Sequence, residues 1–232
     1  MSPNNAPPSL PEEKTTPGQE FSPLFLGDYS TSRPQTAQAT KFYWLVVKDS
    51  ADTFRVKSLN EHNLPAGVSR KLPVDEFMLA FTPEPAHFVE CTLPALKGYL
   101  EENKDRAEVL DQLLEIGFAL NDRESTVAAI DRIIEHLYER SKNIKFDQSR
   151  EFSLYSVRLR KEKRHEAALE YCRKAFEITP ADENIFFNMA RVYLEMEERD
   201  RAVQCITYAL KLNPVFGPAL KFKRYLESPP EQ

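Results

Sequence analysis

Large apolar residues stand at Phe186, Met189 and Tyr193, spaced i, i+3 and i+7, with the small Ala190 among them. That spacing predicts one apolar stripe on an amphipathic helix, and the alanine marks a place where a second helix crosses closely. After the polar run Glu197-Glu198-Arg199-Asp200 a second helix is predicted, with Ala202 and Ala209 on its packed side and Pro214 ending it. Asp182 carries the short acceptor side chain suited to cap the first helix. The same pattern stands 34 residues earlier, with Phe152, Tyr155, Ser156 and Leu159 at the first-helix places and Ala168, Cys172, Ala175 and Pro180 at the second-helix places. A fixed period of this length predicts stacked supersecondary units rather than an irregular bundle.

A weaker copy lies upstream. Leu113, Ile116, Gly117, Leu120, Ala129 and Ile133 precede their counterparts by 39 residues, while His136 replaces the second alanine and Ser141 the proline. The five extra residues extend either the second helix or the loop through Lys142-Asn143-Ile144-Lys145-Phe146. After Pro214 the segment GPALKFKRYLESPPEQ offers one more helix, amphipathic through Leu220, Tyr225 and Leu226, expected to cap the last unit with a polar outer face.

The N-terminal part has a different texture. KFYWLVVK and TFRVKSL, joined by Ser50-Ala51-Asp52, predict a hairpin with strands near 42–48 and 53–59. Pro65, Pro73, Pro83, Pro85 and Pro94 follow, so further strands should be short and at edges, and a helix should open at Pro94. Seven of the seventeen prolines fall within the first 40 residues, and none lies between Pro94 and Pro180. Residues 1–40 are therefore expected to be a largely disordered tail. Within it the apolar island 21–29 either docks on its own domain or is offered as a linear motif to a partner's groove.

The 34-residue pattern resembles the tetratricopeptide repeat family, whose units are helix-turn-helix pairs stacked into a right-handed solenoid. The expected fold is α+β overall and mainly α. A tail over 1–40 and a small α+β module over 41–104 precede a helical solenoid over 105–228, with units at about 110–148, 149–182 and 183–216 and a capping helix. In this family the first helix of each unit lines the concave groove. The resemblance therefore places Leu114, Phe118, Asn121, Arg150, Ser153, Val157, Arg160, Asn184, Phe187, Asn188, Arg191 and Lys221 on a partner-binding surface. Co-chaperones of the family grip a C-terminal carboxylate with a set of lysines and asparagines. Here Leu114, Phe118, Leu154 and Asn184 stand at such places, so that clamp is not expected.

Composition narrows the function. The net charge of −5 argues against a general attraction to nucleic acid or anionic membrane. Among the charged groove residues, by contrast, cations dominate, which favours an acidic, partly apolar peptide held by arginine forks with Phe118 and Phe187 as apolar contacts. Three cysteines, Cys91, Cys172 and Cys205, form no pair at zinc-ligand spacing and suit a reducing cytoplasmic setting. The start has no signal-peptide pattern, and no run of 18 or so apolar residues occurs. His62, His87, His136 and His165 are scattered singly, and none of the common nucleotide-binding, zinc-protease or serine-hydrolase motifs is present. No catalytic, cofactor or metal site is expected. The expectation is a non-enzymatic adaptor or scaffold that binds a protein or peptide. The alternatives are self-association or a chaperone-like role with the N-terminal island in the groove, or an enzyme with activity in 41–100.

Overall fold

The computed structural model describes residues 23–32, 41–103 and 126–227. By internal contacts the chain divides at Asp147/Gln148 into an N-terminal strand-bearing unit and a C-terminal helical unit.

The N-terminal unit is built on an antiparallel sheet of β1 (Leu24–Ser32), β2 (Lys41–Lys48), β3 (Thr53–Leu59), β4 (Pro65–Pro73) and β5 (Thr82–Pro83), in the order β4-β3-β2-β1-β5. The hairpin of β2 and β3 falls where the apolar runs place it. The proline-bearing strands lie at the edges as expected, but only the two-residue β5 is short: β4, at the other edge, runs nine residues with a proline at each end, where neither ring interrupts the ladder. The apolar island docks on its own domain, the first of its two expected readings, and as a full strand. Residues 24–32 pair with β2 along their length and fill the sheet, which corrects the expected tail there and leaves the island no occupant of a helical groove.

β2 is covered on both faces, which is why its sequence is a continuous apolar run rather than an alternation. On one side lies α1 (Val74–Ala80), where Phe77 stacks on Phe54 and meets Tyr29 edge-on, while Trp44 meets Phe81. On the other side Phe25, Leu45 and Val47 pack with Phe88, Leu93, Leu96 and Leu100. These last come from a helical run of α2 (Pro85–His87), a π-helical turn Phe88–Thr92 and α3 (Leu93–Glu102). The same core holds Ile130, Ile133, Leu137 and Ile144 from α4 (Thr126–Lys161).

That last contact revises the expected first repeat. Ile133 belongs to the core under the sheet, Ala129 is buried, and residues 142–146 are helical, so α4 runs without a turn through the boundary expected near 148. Leu113, Leu114, Ile116, Gly117, Phe118, Leu120 and Asn121 lie outside the described residues.

The C-terminal unit takes the last part of α4, residues 148–161, followed by α5 (His165–Ile178), α6 (Glu183–Glu195), α7 (Arg199–Leu212) and α8 (Gly217–Glu227). These make two helix-turn-helix pairs and a final single helix. The small residues chosen by the period are where the helices touch: Ala168, Ala175, Ala190, Ala202 and Ala209 are all fully buried. Asp182 caps α6, accepting the Asn184 backbone N–H at 2.9 Å. The turns inside the two pairs use one device, a left-handed residue at Lys163 (φ 64°) and at Glu197 (φ 62°). Around them the backbone N–H groups of Arg164 and Glu198 reach back to the Leu159 and Tyr193 carbonyls, each at 2.9 Å, which closes a Schellman motif.

The final helix buries Ala219, Phe222 and Leu226, whereas Leu220, expected on its apolar stripe, is exposed. The reason lies in the repeat offset. Leu220, Lys223, Arg224 and Glu227 occupy the places held one unit earlier by Phe186, Met189, Ala190 and Tyr193, so α8 turns a largely charged face where another helix would pack. Among the described residues no helix is long and apolar enough to cross a membrane.

Candidate partner-binding face

The first helices of the repeats, residues 148–161 of α4, then α6, then α8, touch in series. Asn188 donates its side-chain amide to the Ser153 hydroxyl at 2.9 Å, joining α4 to α6. Arg160 donates to the Glu195 carboxylate across the same two helices. Phe187 meets Phe222 of α8 at 5.6 Å between centroids and Phe216 at the same distance.

These contacts divide the expected groove set. Ser153, Arg160, Phe187 and Asn188 are buried, because neighbouring first helices close over them. Phe187 is therefore a core residue between α6 and α8 rather than an apolar contact for a ligand, and Arg160 is committed to Glu195. Arg150, Val157, Asn184 and Arg191 keep partial exposure, and Lys221 is exposed. Asn184 turns its side-chain amide to Asp182 at 2.9 Å. One accessible residue was not in the expected set: Leu154, 44% exposed, one turn after Arg150 and one before Val157. Its signal was in the sequence, since Arg150, Leu154, Val157 and Lys161 fall at i, i+4, i+7 and i+11 on one helical face.

The Glu195 carboxylate gathers Arg160, Lys163 at 3.2 Å and His165 at 3.2 Å. Burial alone would raise its pKa, but the hydrogen bond and charge of Arg160, helped by Lys163 and His165, hold it below the ordinary 4.5. This ties the turn after α4 to the end of α6 and is structural work.

The N-terminal unit holds a second polar cluster. Asp28, fully buried on β1, lies with Oδ2 2.6 Å from His87 Nδ1 and accepts the Thr92 hydroxyl at 2.6 Å. The π-helical turn is what brings these two partners, five residues apart, to one side. His87 also stacks on Tyr43 at 3.6 Å. Burial pushes the Asp28 carboxyl above its usual 3.8 despite both hydrogen bonds and the His87 charge. The cluster anchors the helical run to β1. Elsewhere, burial pushes the Cys172 and Cys205 thiols up to about 11, away from the thiolate form that a nucleophile needs. Burial and the charges of Arg140 and Arg132 lower His136.

Residues 159–218, from the end of α4 to the first residues of α8, match the Tetratricopeptide repeat family. These helices are tetratricopeptide repeats. Repeats of this family are in general protein-interaction modules, and they give the chain that general character. No curated protein sequence matches the chain. Among solved structures it is similar to YrrB, described as a TPR protein with an unusual peptide-binding site. The identity is 17%, over 57% of this chain and 71% of that one, with a TM-score of 0.33. It is also similar to Pseudomonas aeruginosa pilF at 23% identity, over 58% of this chain and 65% of that one, with a TM-score of 0.32.

Proposed function

We propose that the chain is a non-enzymatic adaptor that holds an acidic, partly apolar peptide segment on the first-helix face of its tetratricopeptide repeats. The observation that carries this is the accessible stripe Arg150, Leu154 and Val157 on α4, followed on the next first helices by Arg191 and Lys221. Cations interleaved with exposed aliphatic side chains suit a ligand whose carboxylates alternate with apolar residues. The buried Ser153, Arg160, Phe187 and Asn188 keep the helices in register beneath that face. The free thiols of Cys91, Cys172 and Cys205 suit a reducing compartment such as the cytoplasm.

The test uses fluorescein-labelled peptides of alternating Glu and Leu, with a Gln-for-Glu series as control, and reads fluorescence anisotropy with the full chain. The acidic series should bind and weaken with added salt, since exposed charges are screened beyond about 8–10 Å at physiological ionic strength. Arg150→Glu/Arg191→Glu/Lys221→Glu should abolish binding in a chain that circular dichroism shows to be folded, and Lys221→Glu alone, at an exposed position, should weaken binding with little change in melting temperature. Binding of the control series as tight as the acidic one, or survival of binding in the triple variant, would sink the proposal.

A further inference from the structure

A line of aromatic rings crosses one edge of the repeat unit, formed by the ends of the second helices and the start of α6. Phe176 of α5 meets Phe186 of α6 edge-on at 5.6 Å, and Phe186 stacks on Tyr208 of α7 at 5.7 Å. Phe176 is 39% exposed and Tyr208 54%, and Leu212, one turn beyond Tyr208, is 42% exposed. An isolated exposed ring is ordinary, but rings in contact with one another and continued by a leucine form a contiguous apolar patch, the kind that marks an interaction surface.

The two ends of the line carry opposite charges. Glu177 follows Phe176 and is exposed, and Lys211 holds its ammonium 4.9 Å from the centre of the Tyr208 ring. Neither takes part in an ion pair among the described residues.

We propose that this strip is the self-association surface of a homodimer, with the two-fold axis at Phe186. In that arrangement Phe176 of each copy lies on Tyr208 of the other, and Glu177 of each meets Lys211 of the other. An isologous interface requires a patch to be its own complement, and a strip with an acid at one end, a base at the other and an aromatic ring between satisfies that requirement. A strip of one charge would call for a different partner. Three rings, a leucine and two charged residues are far fewer than the roughly 20–30 residues a side of a standard interface, so the dimer is a reversible one with a dissociation constant on the order of 10–100 µM.

Sedimentation velocity on the full chain, at concentrations spanning that range, provides the test. The weight-average mass should rise toward twice the monomer mass. Lys211→Glu sets carboxylates against each other and Glu177→Lys sets ammonium groups against each other, and each should weaken association about tenfold. The double variant Glu177→Lys/Lys211→Glu recreates the pairing with signs exchanged and should restore it, with all melts close to that of the parent because both side chains are exposed. Tyr208→Ser should leave a monomer. A parent that stays monomeric throughout overturns the proposal, as does a dimer that ignores the single reversals or is not restored by the double one.

Discussion

Arg160 on α4 donates to the carboxylate of Glu195 on α6, so that one ion pair pins together the first helices of two successive repeats. Arg160 is almost wholly buried while Glu195 keeps some contact with water. Replacing Arg160 by Ala should cost about 3 kcal/mol, the low end for a broken buried pair, because a carboxylate is left without its main partner. The pH dependence follows from the direction of the Glu195 shift. Its folded pKa is held below the ordinary 4.5, so its contribution is present above that value and is lost as pH falls through the folded pKa. Thermal melts should show that acid-induced loss in the parent, and in Glu195→Gln this part of the pH dependence should vanish. An identical acid limb in both proteins would contradict the assignment.

The paired left-handed residues offer a gain in stability. Lys163 and Glu197 both hold φ near +60°, where a side chain is strained and glycine is not. Glu197→Gly should raise stability by about 0.5–1 kcal/mol, after the larger entropy of glycine in the unfolded chain is counted, and Lys163→Gly by less, because it also gives up the exposed pair with Glu195. Chemical denaturation with an unchanged midpoint in both variants would mean that these turns carry no strain.

Gly27 predicts the opposite sign. It sits at the bulge between β1 and β2 with φ 73°, and a Cβ there would fall 2.2 Å from Ile144 Cδ1. Gly27→Ala should destabilise by about 2–4 kcal/mol through backbone strain plus overpacking. Adding Ile144→Val removes the clashing methyl and should recover part of that loss in the melt. No recovery would place the whole cost in the backbone.

The repeat was legible because its evidence is local and periodic: alanines at 168, 175, 190, 202 and 209 recur on a fixed spacing, and each is buried. The β2–β3 hairpin was legible for the same reason. β1 was harder, since its flanks are rich in proline and small polar residues, and what orders it is distant in sequence. Phe25 finds Phe88, Gly27 finds Ile144 and Asp28 finds His87. The split of the groove set had a similar cause. A single helix can be read for its apolar stripe, but whether Phe187 or Asn188 faces water depends on the neighbouring helix, and only the fold brings Phe222 and Ser153 against them.

The charged outer face of α8 also sets a rule for changing the length of the array. A further 34-residue block spliced in ahead of Gly217 would meet Phe186-type and Ala190-type surfaces on its upstream side and hand the same α8 its usual seat. A block appended after α8 would have to pack on Lys223, Arg224 and Glu227. Growth by duplication, whether in nature or by design, is therefore open from within and closed at that end.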